Sequence, residues 1–175
     1  MRLINSCVLG IDAAWTAHQP SGIALVQNTE SGWSCLAVAP SYEAFINQAS
    51  GQAWDPEQKA TGSRPDPATL LGASKQLAGA EVNCVSVDMP LATTPITSRR
   101  AADTAISSRF GARGCAVHSP SAERPGAMAD QLRADFSALG YPLHTNSSEQ
   151  ASPALIECYP HVALLALLKR EKRVP

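Results

Sequence analysis

The chain has 175 residues, of which 45 % are hydrophobic and 17 % are charged, and its formal net charge is −1. This composition is typical of one folded domain and excludes a largely disordered chain. No apolar run reaches the roughly 20 residues that a membrane-spanning helix needs, and the first residues do not have the pattern of a secretory signal. We therefore expect a single domain over residues 1–175.

The cysteines predict neither a metal knuckle nor a redox pair. They are odd in number, widely spaced and never arranged as C-x-x-C, and most lie in apolar runs or beside small residues. Buried free thiols of this kind are typical of the reducing cytoplasm, so we expect a cytoplasmic protein. The five are Cys7, Cys35, Cys84, Cys115 and Cys158.

The first half of the chain predicts three strands and then two helices. The strands cover residues 3–11, 21–26 and 33–39, and turn chemistry at 28–32 makes the last two a hairpin. Ser41 and Asp66 are the expected N-caps of the two helices, with Pro67 at the first helical position. Residues 50–66 between them are rich in Gly and Pro and predict an irregular loop.

The second half alternates strands and helices. A solidly apolar strand is predicted at 82–88, a helix at 97–110 capped by Thr97 or Ser98, and a helix from Pro125 that stops at Gly140. Residues 141–153 predict a loop, 154–158 a last strand, and Pro160 opens a final helix. This order predicts a mixed α/β sandwich in three layers. The basic end at 169–175 has no signal that finishes a domain, which leaves open a longer form of the protein.

Three acids stand at or near the ends of apolar strands. They are Asp12, Asp88 and Glu157. Ligands of open α/β sheets bind at the carboxyl ends of strands, so these side chains converge if their strands are neighbours. Three close carboxylates repel one another, and a bound Mg²⁺ or Mn²⁺ relieves that repulsion. Two such ions would support hydrolysis of a phosphodiester bond.

Each acid also has a structural explanation. Asp12 and Asp88 could cap a turn or the next helix. Glu157 lies between Ile156 and Cys158 in an apolar strand, where a carboxylate needs a partner, and a salt bridge to an arginine would provide one. The joint pattern of three strand-end acids favours the shared site.

Several segments, in this order, resemble the DUF429 family of predicted nucleases with a ribonuclease H-like fold. The first is Gly-Ile-Asp-Ala-Ala-Trp (10–15) with Ser-Gly-Ile-Ala-Leu-Val (21–26), and the second is Val-Asp-Met-Pro-Leu (87–91). Arg-Ala-Ala-Asp (100–103) follows with Arg109, Gly111 and Pro120, and Ile-Glu-Cys-Tyr-Pro-His (156–161) is the last. The resemblance implies a five-stranded mixed sheet flanked by helices, with metal-binding acids at Asp12, Asp88 and Glu157.

Many nucleases of that fold use a fourth carboxylate from the last helix. Here that helix offers no acid before Glu171. Asp103 could substitute for it if its helix faces the site, or it could pair with Arg99 or Arg100.

Basic and aromatic residues supply candidates for substrate binding. The first 88 residues hold four Lys and Arg against eight Asp and Glu, whereas residues 89–175 hold ten against seven. Arginines after Asp88 could bind phosphates, or they could form a solvated helix face with internal pairs. They are Arg99, Arg100, Arg109, Arg113 and Arg124.

Trp15 could stack on a base or pack over the end of the sheet. His118 and His161 could act as general acid or base, and His161 stands four residues after Glu157.

The leading hypothesis is a metal-dependent nuclease that uses Mg²⁺ or Mn²⁺ and acts on RNA or DNA. A nucleotide phosphohydrolase of the actin/sugar-kinase type is the second, but Ala13, Ala14 and Trp15 follow Asp12 where such proteins usually have a Gly and a hydroxyl-bearing residue. A non-enzymatic binding or scaffold protein with the same fold is the third. The sequence leaves open a homodimer.

Overall fold

The computed structural model describes residues 6–145 and 153–173. Three strands and two helices come first, and strands and helices then alternate. The strands are β1 (Ser6–Asp12), β2 (Gly22–Thr29), β3 (Gly32–Ala39), β4 (Cys84–Val87) and β5 (Ala154–Glu157). The helices are α1 (Tyr42–Ala49), α2 (Pro67–Ala78), α3 (Ala101–Phe110), α4 (Ala127–Ala138) and α5 (Pro160–Leu167), with a 3₁₀ turn at Gly111–Arg113.

The five strands of the described ranges form one mixed sheet in the order β3-β2-β1-β4-β5. β1 and β3 both pair antiparallel with β2, whereas β1, β4 and β5 run parallel to one another. The expectation that the first, fourth and fifth strands are neighbours is confirmed, and so is the five-stranded mixed α/β sheet. The carboxyl ends of these three strands lie at the same edge of the sheet.

One face of the sheet carries the hydrophobic core. Side chains of successive strand residues point to opposite faces, and burial alternates accordingly. Leu9 and Val85 are fully buried in one cluster with Phe45 of α1, Leu70 of α2 and Phe136 of α4. Helices α1 and α2 contact each other, and α2 contacts α4. The third layer of the expected sandwich and the single-domain boundary stay predictions.

The hairpin of β2 and β3 is tighter than predicted. β2 continues to Thr29, which pairs with Gly32, so that the turn has two residues between the paired ones. Gly32 has a φ of 104°, a conformation that favours glycine. β1 ends at Asp12 itself, and the start predicted at residues 3–5 lies outside the described residues.

Three predicted boundaries are wrong. α3 begins at Ala101 and not at 97, because the carboxylate of Asp103 accepts the backbone N–H of Arg100, which makes Arg100 the N-cap. β4 is limited to Cys84–Val87, and Asn83 before it bonds to Cys7 twice, because its backbone N–H donates to the carbonyl of Cys7 and its side-chain oxygen accepts the N–H of Cys7. α4 begins two residues after Pro125.

The other helix starts are confirmed. Ser41 caps α1, Asp66 caps α2 with Pro67 at the first turn, and Pro160 opens α5. Of the loop predicted at 141–153, residues 146–152 lie outside the described residues. No helix within the described ranges is long and apolar enough to cross a membrane.

Truncation of Phe45 tests the assignment of the core. Phe45→Ala removes a fully buried ring, so the free energy of unfolding should fall by about 3–5 kcal/mol. Urea denaturation followed by circular dichroism measures this loss. Leu167→Ala is the control, because that leucine is 76 % exposed and its truncation should change stability by less than about 0.5 kcal/mol. Equal losses in both variants would contradict this packing.

Candidate functional site

Asp12 and Asp88 lie side by side at the ends of two parallel strands. The ladder between β1 and β4 pairs Ile11 with Val87, and the backbone N–H of Asp88 donates to the carbonyl of Ile11 over 2.8 Å. Asp12 directly follows Ile11, and Asp88 directly follows Val87. They therefore lie in the same row and point to the same face of the sheet, opposite to Ile11 and Val87.

The chain around Asp12 holds its carboxylate at the surface. Asp12 pairs with Gly22 on β2, and the hydroxyl of Ser21 accepts the backbone N–H of Ala14 over 3.0 Å. This bond closes the segment that connects β1 to β2. Asp12 is exposed, whereas Ala13, the next residue, is buried and anchors the segment to the core.

The two acids have no counter-charge of their own. In the part of the chain that the structure describes, no lysine, arginine or histidine forms an ion pair with either of them. Burial, and then the nearby charges of Asp12 and Glu157, raise the pKa of Asp88 to about 6. The site is therefore an uncompensated acid pair that attracts cations.

Glu157 occupies a different position from the other two acids. It pairs with Val87 and not with Asp88, so it lies one residue earlier in its strand and points to the opposite side of the pleat. Its carboxylate accepts two bonds from the guanidinium of Arg100, at 2.6 and 2.7 Å, and one from the backbone N–H of Leu91 at 2.9 Å. Glu157 thus has the arginine salt bridge that was its alternative explanation.

Arg100 joins Glu157 to α3. The same guanidinium donates to both carboxylate oxygens of Asp103, at 2.7 and 3.0 Å. Hydrogen bonding to Glu157 is the largest cause that raises the pKa of Arg100. Burial would raise the pKa of Asp103, but the bonds and the charge of Arg100 outweigh burial and lower it. Asp103 is therefore a paired acid that anchors the first turn of α3.

Seven of the predicted site residues line one pocket of about 190 Å³. The pocket opens where β1, β4 and β5 end. These seven are Asp12, Trp15, Asp88, Arg100, Asp103, Glu157 and His161. His118 lines it as well. The structure thus brings together every predicted acid.

Two predicted substrate-binding arginines do not line this pocket. Arg109 lies with its guanidinium 5.7 Å from the centre of the Phe110 ring. Arg113 donates to the backbone carbonyls of Arg170 and Glu171. Arg99 also has a structural role, because it binds the carbonyls of Val117 and Asp103 and ties the loop after α3 to that helix.

Aromatic side chains form part of the pocket wall. The rings of Trp15 and His118 contact each other edge-to-face, with 6.2 Å between their centroids. The guanidinium carbon of Arg124 lies 5.9 Å from the centre of the Trp15 ring. Tyr159 contacts the ring of His161 edge-to-face at 5.5 Å. Burial, and then the charge of Arg173, lower the pKa of His161, so its ring is neutral at pH 7.

Sequence reasoning missed three residues of this pocket: Cys158, Tyr159 and Arg173. For Cys158 a signal existed, since it directly follows β5 and falls in the row of Asp12 and Asp88. Burial raises the pKa of its thiol, which makes Cys158 a poor nucleophile at neutral pH. Arg173 had no signal, because only the folded chain brings it to the strand ends.

The donor atoms fit a hard divalent cation. Asp12 and Asp88 offer carboxylate oxygens without an ion-pair partner, which suits Mg²⁺ or Mn²⁺. His161 adds a buried Nδ1 atom that has no hydrogen-bond partner within the described residues. Among those residues, no three His, Cys, Asp or Glu side chains are grouped so that they could hold a metal ion. Glu157 as a third ligand stays a prediction.

Removal of one acid should stabilise the metal-free protein. The raised pKa of Asp88 means that its ionised form disfavours the folded state above about pH 6, and that this penalty is absent below about pH 4, where the unfolded chain is also protonated. Asp88→Asn should therefore raise Tm by about 2–4 °C at pH 7.5 in EDTA, and the gain should vanish as the pH falls from 6 to 4. Differential scanning fluorimetry measures both.

Asp55→Asn is the matched control, because Asp55 is exposed and lies in the loop before α2. Its Tm should follow that of the original protein at every pH. A Tm of Asp88→Asn below that of the original protein at pH 7.5 would contradict the repulsion between the acids.

Comparison with known families agrees with the resemblance noted in the sequence. The model of one family, described as "Protein of unknown function (DUF429)", matches residues 10–174. The match includes all three strand-end acids. No curated protein and no solved structure matches the chain. Since the family model covers nearly the whole chain, the protein belongs to the DUF429 family.

Proposed function

We propose that this protein is a metal-dependent nuclease that hydrolyses phosphodiester bonds of nucleic acid, with Asp12 and Asp88 as the ligands of Mg²⁺ or Mn²⁺. The observation that carries the proposal is the acid pair, which shares one pocket and has no ion-pair partner within the described residues. Mg²⁺ is commonly bound by one or two carboxylates, with water and substrate phosphate as its other ligands. When bound, the ion supplies the Lewis acidity that phosphodiester hydrolysis needs.

The other polar residues of the pocket have separate roles in this proposal. Arg100 forms ion pairs with Glu157 and Asp103, whereas Asp12 and Asp88 have no ion-pair partner within the described residues. His161 is neutral at pH 7 and can accept a proton at the pocket wall. Trp15 packs against the core with the guanidinium of Arg124 over its ring, and the part that lines the pocket can contact a base.

The connection after Asp12 argues against a phosphate-binding loop of the actin/sugar-kinase type. Such a loop needs free backbone N–H groups that point to the phosphates. The N–H of Ala14 is already bonded to Ser21, and the side chain of Ala13 is buried. A nucleotide phosphohydrolase is therefore the weaker alternative.

We assign the fold to the ribonuclease H-like class on the same basis. The resemblance to the DUF429 family implies a five-stranded mixed sheet flanked by helices, and a mixed sheet of that size is present. The acids at Asp12 and Asp88 stand at the ends of its parallel strands, which is where the resemblance implies metal ligands. The mixed sheet and the position of the two acids at its parallel strand ends support this assignment.

Loss of either acid should abolish cleavage. Asp12→Asn and Asp88→Asn each remove the charge of one ligand but keep the size of the side chain, so cleavage should fall at least 100-fold, the scale of losing about 3 kcal/mol of transition-state stabilisation. Labelled single-stranded RNA and DNA with Mg²⁺ or Mn²⁺ are the substrates, and EDTA should stop the reaction. Asp55→Asn should cut like the original protein. Unchanged cleavage by Asp12→Asn would disprove the proposal.

Binding of the ion can be measured without any substrate. Mn²⁺ should raise Tm of the original protein and of Asp55→Asn, because a ligand that binds only the folded state stabilises it. It should not raise Tm of Asp12→Asn or Asp88→Asn. Glu157→Gln tests the third ligand: a lost Mn²⁺ response makes Glu157 a ligand, and a retained response leaves it as the partner of Arg100.

A further inference from the structure

The chain turns back after α5 and returns to the 3₁₀ turn that follows α3. Lys169 has a φ of 50°, and the N–H of Arg170 donates to the carbonyl of Leu165, so the helix ends and the direction of the chain reverses. The N–H of Arg173 then donates to the carbonyl of Arg113 over 2.8 Å. We call residues 169–173 the basic arm.

Arg113 holds the basic arm in place. Its guanidinium donates to the carbonyl of Glu171 over 2.7 Å and to that of Arg170 over 2.8 Å. The neighbouring Gly114 has a φ of 79°, and a Cβ there would lie 3.2 Å from the Cβ of Arg173. Glycine at this position therefore permits the close approach of the arm. Arg113 is committed to backbone carbonyls and is not free to bind a phosphate.

The basic arm brings a cation to the pocket of the acid pair. Arg173 lines that pocket, and its charge is one cause of the lowered pKa of His161. Within the described ranges, Arg173 forms no ion pair with an acid. The arm carries four basic side chains against Glu171, a net charge of +3, and all five residues are exposed.

We infer that the basic arm binds the phosphate backbone of an unpaired nucleic-acid strand whose reacting phosphate enters the acid pocket. This inference rests on the proposed function and names its substrate class. Arg173 is the phosphate-binding residue nearest the acids, and Arg113 is a positioning residue that acts through the arm. Positive charge beside an acid pair is what a polyanionic substrate needs to approach it.

The size of the pocket selects an unpaired strand. Its 190 Å³ is smaller than the roughly 300–1,000 Å³ of most ligand sites, so it admits one base or one phosphate group and not a base pair. In a duplex the phosphates are exposed but the bases are stacked and paired, so a base can reach the pocket wall beside its phosphate only if it is unpaired or first extruded. Trp15 and Tyr159 contribute aromatic surface to the wall, which suits contact with an unstacked base.

Nucleic-acid binding measured in EDTA tests the role of the basic arm separately from metal-dependent cleavage. The probe is a fluorescein-labelled 12-nucleotide single strand, followed by anisotropy over a range of salt concentrations. Arg173→Gln should weaken binding by roughly 5-fold and reduce the slope of log K against log salt by about 0.7, the effect of one lost phosphate contact on a single strand. Arg113→Gln should weaken binding at least as much, because it releases the whole arm.

Arg64→Gln is the matched control, since Arg64 is exposed and lies before α2, away from the acid pocket. It should bind like the original protein. In the Arg113→Gln, Arg173→Gln double variant the loss should be smaller than the product of the two single losses, because both act through one arm. Fully multiplicative losses would make Arg113 an independent contact and overturn its positioning role.

Equal binding by Arg173→Gln, Arg64→Gln and the original protein would overturn the arm as a phosphate site. Tighter binding to the same sequence as a duplex would overturn the preference for an unpaired strand. These outcomes differ from failure of the proposed function, which shows as unchanged cleavage by Asp12→Asn while Arg173→Gln still loses affinity in EDTA.

Discussion

The hydrogen bond from the backbone of Asp88 to the carbonyl of Ile11 fixes the position of the candidate site. It extends the parallel ladder of β1 and β4 by one residue, so the two strands end in the same row. A shift of one residue in either strand would turn one carboxylate to the buried face. The acid pair therefore depends on the strand register, which the packing of Leu9, Ile11 and Val85 in the core maintains.

Arg100 determines which acids of the pocket remain available. It lies at the start of α3 and binds Glu157 at the end of β5 together with Asp103 in the first helical turn. Two of the four pocket acids thereby share one cation and are held in place. Burial, and then the charges of Asp12 and Glu157, raise the pKa of Asp88, and no arginine among the described residues pairs with that acid to lower it. Two carboxylates without an ion-pair partner lower the stability of the folded protein. A cation bound between them can offset this loss.

Most helices and strands could be predicted from local sequence signals. Caps such as Ser41 and Asp66 and the apolar strands around Val85 act over a few residues, and such signals are visible in the sequence. The start of α3 was misplaced because Asp103 caps it from inside the helix, whereas a hydroxyl residue was expected before it. The sequence also predicted one shared role for the three acids, but Glu157 pairs with Val87 and so lies outside the row of Asp12 and Asp88. This pairing joins distant parts of the chain, and no local pattern encodes it.

The arginines show most clearly why residue type alone does not define a binding surface. Arg99 and Arg113 were candidates for phosphate binding, yet their guanidinium groups donate to backbone carbonyls of the connecting segments. A planar guanidinium can bind two backbone carbonyls at once, as that of Arg113 does with Arg170 and Glu171. This use of Arg113 has a consequence for charge, since it brings Arg173 to the pocket without an acidic partner in the described ranges. Arg113 thus helps to bring Arg173 to the pocket through the backbone carbonyls of Arg170 and Glu171, which its guanidinium binds.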